Sequence, residues 1–172
     1  MIKKYSFALI LCIMVITAMG TKAQIATRQY FHYENTRFNY GIDYPSTFAA
    51  EPESVNGDGR VFSYKKECSI TVWGQWNALN ETVAQRYRQA LKGRTGVSLK
   101  VLRSNYYIVS CILPNGKIFY EKCVLLDAGG DQERFVCATA VYPKKYRKQF
   151  DTFIAHIFKK FPTNPVPHQE ND

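Results

Sequence analysis

The sequence is poor in the residues and spacings that directed chemistry requires. Its three histidines, His32, His156 and His168, stand far apart in a chain of 172 residues. No His-x-x-x-His, Cys-x-x-Cys or Glu-x-x-His spacing occurs, so no metal ligand set can be read and neither a metal nor a cofactor is expected. Gly-x-Ser-x-Gly, Gly-x-x-x-x-Gly-Lys and Gly-x-Gly-x-x-Gly are also missing, which removes the nucleophile elbow, the phosphate loop and the dinucleotide fingerprint. Asn56-Gly57-Asp58-Gly59 has the turn of a calcium loop without its spaced ligands or terminal Glu, and reads as a tight turn. Ten Gly and seven Pro are too few for a collagenous or low-complexity chain. Acids are scarce too, 14 against 23 Lys and Arg, for a formal charge of +9.

Only one long apolar run is present. Phe7 to Met19 carries no charge and follows Lys3 and Lys4. Thirteen residues are short for a bilayer core, which needs about 20 in a helix. A basic start with a short apolar core is the export-signal pattern, and Thr21 and Ala23 suit cleavage before Gln24. An uncleaved anchor is the alternative. With residues 1–23 removed the charge falls to +6, because three lysines and no acid leave, and no transmembrane span remains. Cys12 leaves too, and the remaining Cys68, Cys111, Cys123 and Cys137 read as two disulfides in an oxidising compartment, periplasmic or extracellular.

Residues 24–161 read as a single α+β domain, and 162–172, with three prolines, as a disordered tail. Arg37 to Tyr44 alternates Phe38, Tyr40, Ile42 and Tyr44 and stops at Pro45, as a strand would. Strands are expected at 60–65 and 69–73, a helix from an Asn80 cap to about Lys92, and three strands near 106–113, 118–126 and 133–142. The last helix follows Pro143, with Tyr146, Phe150, Phe153, Ile154, Ile157, Phe158 and Phe161 on one stripe. Strands, a helix, a meander and a helix make an antiparallel sheet covered by two amphipathic helices.

A two-residue turn at Asn115-Gly116 sets Cys111 opposite Tyr120 and Ser110 opposite Glu121. A loop centred on Gly130 sets Cys123 opposite Cys137 and Glu121 opposite Thr139. Two expectations follow from this register. Cys123 bonds Cys137, which by elimination leaves Cys68 for Cys111. Ser110, Glu121 and Thr139 form a polar row across one face, either a hydrogen-bonded strip or the floor of a ligand pocket.

Two groups of cations flank the helices: Arg86, Arg88, Lys92 and Arg94, and Lys144, Lys145, Arg147 and Lys148. An exported chain with no recognition motif does not suggest a nucleic-acid partner; such faces serve solubility or attraction to anionic envelope surfaces. Asn35 to Pro45 (NTRFNYGIDYP), NGDGR at 56–60, VWG at 72–74, Tyr107 to Ser110, IFYEK at 118–122 and VYP at 141–143 together resemble small exported bacterial proteins of the PsbP-like fold. That resemblance implies an α/β/α sandwich and a non-enzymatic accessory role, and it supplies no catalytic residue. The expected function is an exported, non-catalytic binding or accessory protein of the cell envelope. The alternative is a small ligand-binding protein or hydrolase built on the polar row.

Overall fold

The alternation at 37–44 folds back on the segment before it. In the computed structural model, β1 (Tyr30–Asn35) pairs antiparallel with β2 (Tyr40–Pro45) as a separate two-stranded ribbon. The strand opens at Tyr40 because Asn35 Oδ1 accepts the Phe38 N–H at 2.9 Å and Asn39 turns left-handed, making 36–39 a turn. The structure describes residues 30–163 apart from residue 128. The expected signal segment 1–23, residues 24–29 and the tail from 164 lie outside the described residues.

Seven further strands form one antiparallel sheet: β3 (Ala49–Ala50), β4 (Gly59–Tyr64), β5 (Cys68–Trp76), β6 (Val97–Leu102), β7 (Tyr106–Ile112), β8 (Lys117–Leu126) and β9 (Arg134–Pro143). Their order across the sheet is β3-β4-β5-β9-β8-β7-β6. Helix α1 (Val83–Leu91) lies between β5 and β6 in sequence, and α2 (Arg147–Lys160) follows β9 after one 3-10 turn at Lys144–Tyr146. Among the described residues the fold is thus α+β with an antiparallel sheet and two α-helices.

One turn departs from expectation and re-sorts the sheet. Leu113, not Pro114, meets Lys117: the Leu113 N–H donates to Lys117 O at 2.8 Å, and the Gly116 N–H donates to Leu113 O at 2.8 Å. Pro114 has no N–H for a closing pair, so the hairpin takes a three-residue loop with Gly116 at φ +77°. Ser110 therefore faces Tyr120, and Val109 faces Glu121. A shift of one residue moves every side chain of β7 to the other face.

The α2 face buries Phe62, Ile70, Val72, Val136, Ala138, Ala140 and Tyr142 against Phe150, Phe153, Ile154, Ile157 and Phe158 of the helix. The ribbon adds Tyr33, Tyr40 and Ile42 to the same cluster. Each fully buried Phe or Ile here contributes about 1.5–3 kcal/mol. Lys122 projects into this face and donates from Nζ to Phe158 O at 2.7 Å and Phe161 O at 2.6 Å, satisfying carbonyls that the end of α2 leaves open. Beyond α2, Thr163 exchanges two 3.0 Å backbone hydrogen bonds with Gly41, whose lack of a side chain permits the approach. Residues 162 and 163 are accordingly ordered, where the sequence placed them in the tail.

The α1 face buries Tyr107, Val109, Cys123, Phe135 and Cys137 with Val83 of the helix, and Tyr87, Ala90 and Leu91 pack against them. The cap is Thr82, not Asn80. Thr82 and Gln85 exchange side-chain and backbone hydrogen bonds in a capping box, while Asn80 sits in the preceding turn at φ +51°. The sequence reading also passed over β6. A register shift between Val97 and Leu99 turns Val97 to the α1 face and Leu99 to the other, breaking the alternation.

Candidate functional site

The three polar residues expected in one row are not brought together. Glu121 and Thr139 are paired across β8 and β9 on the α1 face, whereas Ser110 stands on the α2 face. The Ser110 hydroxyl donates to Phe119 O at 2.9 Å. Glu121 is 8% exposed, accepts from Tyr107 Oη at 2.5 Å and lies 3.5 Å from Arg94 Nη2. That Arg94 guanidinium is 3.8 Å from the centre of the Phe119 ring. Burial, reinforced by the Glu121 charge, pushes the Tyr107 hydroxyl far above its usual range. This is a closed structural network under α1. Its members Tyr107 and Arg94 were not foreseen, although Tyr107 follows once Val109 is set opposite Glu121.

Among the cysteines, Cys123 and Cys137 are opposed in register with Cα atoms 4.0 Å apart and joined by a disulfide. Cys68 and Cys111 are not joined. Both are buried free thiols. Cys68 packs on the α2 face of β5, whereas Cys111 of β7 alternates with Ser110 and so points to the opposite face. Strands β9 and β8 intervene, a separation of about 14 Å at the usual strand spacing. A Cys68–Cys111 pair would need β5 and β7 as neighbours, and they are not.

Ser110 instead belongs to the floor of a groove of about 630 Å³ between α2 and the β6 side of the sheet. Leu99 and Ser98 of β6 form one wall, and Ile154, Ala155, Asp151 and Arg147 of α2 form the other. Ile112, Ile118, Tyr120 and Tyr142 complete the floor, and Lys144 stands at its mouth. Tyr142 Oη donates to Asp151 Oδ1 at 2.9 Å, and Arg147 Nε approaches Asp151 Oδ2 at 3.2 Å. Burial and the hydrogen bond to Asp151 push the Tyr142 hydroxyl above the usual phenol range. The groove is largely apolar along its length and cationic at its mouth, and its sheet edge is open among the described residues, where β6 is bonded only to β7.

The Asn56-Gly57-Asp58-Gly59 segment is a tight turn tied to the ribbon, with Asn35 Nδ2 donating to Gly57 O at 3.0 Å and Tyr40 Oη to Asp58 O at 3.0 Å. Asp58 carboxylate oxygens accept from Ser54 Oγ at 2.6 Å and Asn56 Nδ2 at 2.9 Å. Among the described residues no group of three His, Cys, Asp or Glu side chains could hold a metal. No helix among them is long and apolar enough to cross a membrane.

The sequence matches no protein-family model and no curated protein. Its fold has relatives among solved structures. The cyanobacterial PsbP protein CyanoP of Synechocystis sp. PCC 6803 superposes with a TM-score of 0.54 at 10% identity, over 82% of this chain and 96% of that one. The Ran-binding protein Mog1p of Saccharomyces cerevisiae superposes with a TM-score of 0.45 at 11% identity, over 74% of this chain and 84% of that one. The likeness to CyanoP shows that the chain has a PsbP-like fold.

Proposed function

We propose that this is an exported, non-catalytic accessory protein of the cell envelope that holds an extended segment of a partner protein along β6, with the partner's side chains in the groove. The observation that carries this reading is the open β6 edge beside an apolar groove, with Leu99 38% exposed at their junction. Open edges are normally blunted by charge, proline, bulges or cover; β6 has Lys100 and the Val97–Leu99 bulge, yet the exposed Leu99 and Leu102 leave an apolar stretch whose backbone donors and acceptors can take an added strand. Five of the groove's polar side chains are already engaged: Ser98 and Ser110 with backbone carbonyls, and Tyr142 and Arg147 with Asp151. Export is supported by the basic-apolar N-terminal pattern and the Cys123–Cys137 disulfide.

Site-directed photo-crosslinking in cells making the full chain tests the reading. A photoreactive side chain at position 99 should capture one envelope protein reproducibly, whereas the same group at Val61 on the other half of the sheet should not. Equal capture from both positions, or none from position 99, contradicts it.

A further inference from the structure

The end of the sheet where β4 turns into β5 and β9 gives way to α2 is crowded with cations. Lys65, Lys66, Lys144, Lys145, Arg147 and Lys148 are exposed there, with Lys117 half-buried beside them. They form one surface. Lys145 Nζ is 2.8 Å from Glu67 Oε2, Lys117 Nζ donates to Glu67 O at 3.0 Å, and Lys65 Nζ lies 5.0 and 5.9 Å from the Tyr64 and Tyr146 ring centres. The acids held within the cluster are Glu67 and Asp151.

Two features of this end run against local preference. The Tyr64–Glu67 turn places Lys65 and Lys66 at φ +51° and +55°, closed by the Glu67 N–H donating to Tyr64 O at 3.3 Å. A turn left-handed at both central residues favours Asn-Gly, and a β-carbon is penalised at each position. At the start of α2 the first turn holds no acid; Arg147 and Lys148 follow Lys144 and Lys145 at the positive end of the helix dipole. Both violations add positive charge to the same end of the molecule, where two cations are matched by acids, Lys145 by Glu67 and Arg147 by Asp151. Breaks in local consistency without local compensation are the mark of a binding surface.

From this convergence we propose that the Lys65–Lys66 turn and the start of α2 form a docking surface for an anionic lipid membrane. Six of the seven cations are lysines, compact charges suited to a diffuse field of headgroups rather than to bidentate capture of one carboxylate or phosphate. Six of the seven are exposed, and half-buried Tyr64 and Tyr146 beside them suit the headgroup level. Seven cations fall within the range of polybasic clusters that bind anionic leaflets. This goes beyond the β6 groove, with which it shares Lys144 and Arg147, and does not require the groove to be occupied.

The test uses protein made from the full chain, purified after export, and sedimented with vesicles. Binding to vesicles containing phosphatidylglycerol should be strong at low salt, absent on phosphatidylcholine alone, and lost at about 1 M salt, where the Debye length is about 3 Å. Changing Lys65→Asn together with Lys66→Gly should weaken binding about 30-fold, near fivefold per lysine. The same change should raise the thermal midpoint by about 4 °C, because the turn then carries its preferred residues. Lys144→Gln with Lys148→Gln should weaken binding similarly without touching the turn. Leu99→Asp should leave vesicle binding intact, so that failure of the groove reading and failure of this one are separable. Equal binding to neutral vesicles, unchanged binding in both lysine variants, or tighter binding to duplex DNA than to vesicles at the same salt would overturn the proposal.

Discussion

Raising the pH attacks the core through its tyrosines, and the size of the effect follows from four of them. Tyr33, Tyr40, Tyr107 and Tyr142 are between 0% and 7% exposed. Burial is the leading cause that raises each hydroxyl above the ordinary value of 10.0, with the Glu53 hydrogen bond aiding Tyr33, the neighbouring Tyr33 aiding Tyr40, Glu121 aiding Tyr107 and Asp151 aiding Tyr142; Tyr33 reaches about 12. A group whose folded pKa is raised contributes its full stability below the unfolded value and loses it as the pH climbs towards the folded one. Above pH 10 the unfolded chain releases four protons that the folded chain keeps. Each removes about 1.4 kcal/mol per pH unit, so stability falls by about 5 kcal/mol by pH 11. Lys122 works the other way, since burial lowers its pKa and stability rises as the pH approaches 10.5, but it is one group against these four, to which Tyr120 and Cys68, also raised by burial, add. A domain at the lower end of ordinary stability, about 5 kcal/mol, should therefore unfold cooperatively near pH 11, and one of about 10 kcal/mol near pH 12. Phenolate absorbance and circular dichroism followed together measure this. The exposed tyrosines should titrate first, and those raised by burial, Tyr120 among them, should ionise in one step coincident with loss of the dichroism signal. Smooth independent titration of all tyrosines near pH 10, with the fold intact, would refute the reasoning.

Replacing Cys123 and Cys137 by serine should lower unfolding stability by about 3 kcal/mol, the value for a loop of this length, read from urea denaturation. In the unreduced, denatured protein, mass mapping after alkylation should find Cys68 and Cys111 as thiols and Cys123 with Cys137 as a disulfide; a Cys68–Cys111 bridge would contradict the strand order. Lys122→Met should cost about 1–3 kcal/mol, because the carbonyls of Phe158 and Phe161 lose their donor, and hydrogen exchange should show fraying confined to the end of α2.

What could be read from the residues tracks how local each signal is. The last helix was legible because its stripe of aromatic and aliphatic side chains has the helical period throughout, and Cys123 could be set against Cys137 because their hairpin loop is nearly symmetric about Gly130. The first helix was found but capped two residues early, since Asn80 and Thr82 are both competent caps and only the Thr82–Gln85 reciprocity separates them. The polar row was lost to a single proline. Pro114 forces a three-residue loop, and that one-residue slip carries Ser110 to the opposite face from Glu121. The groove itself was not readable, because it joins β6, hidden by its bulge, to an α2 face whose neighbour in space is set by the order β9-β8-β7-β6. Nor was the second cysteine pair, which depended on that same order.

The claim on which the functional reading rests is that β6 is an accepting edge. Amide hydrogen exchange, compared between the protein alone and its position-99 cross-linked complex, tests it most directly. Added-strand pairing requires the amides of Val97–Leu102 to become protected in the complex while those of Gly59–Tyr64 at the other side of the sheet stay unchanged. Protection at β4 instead, or no change at β6, would contradict the account.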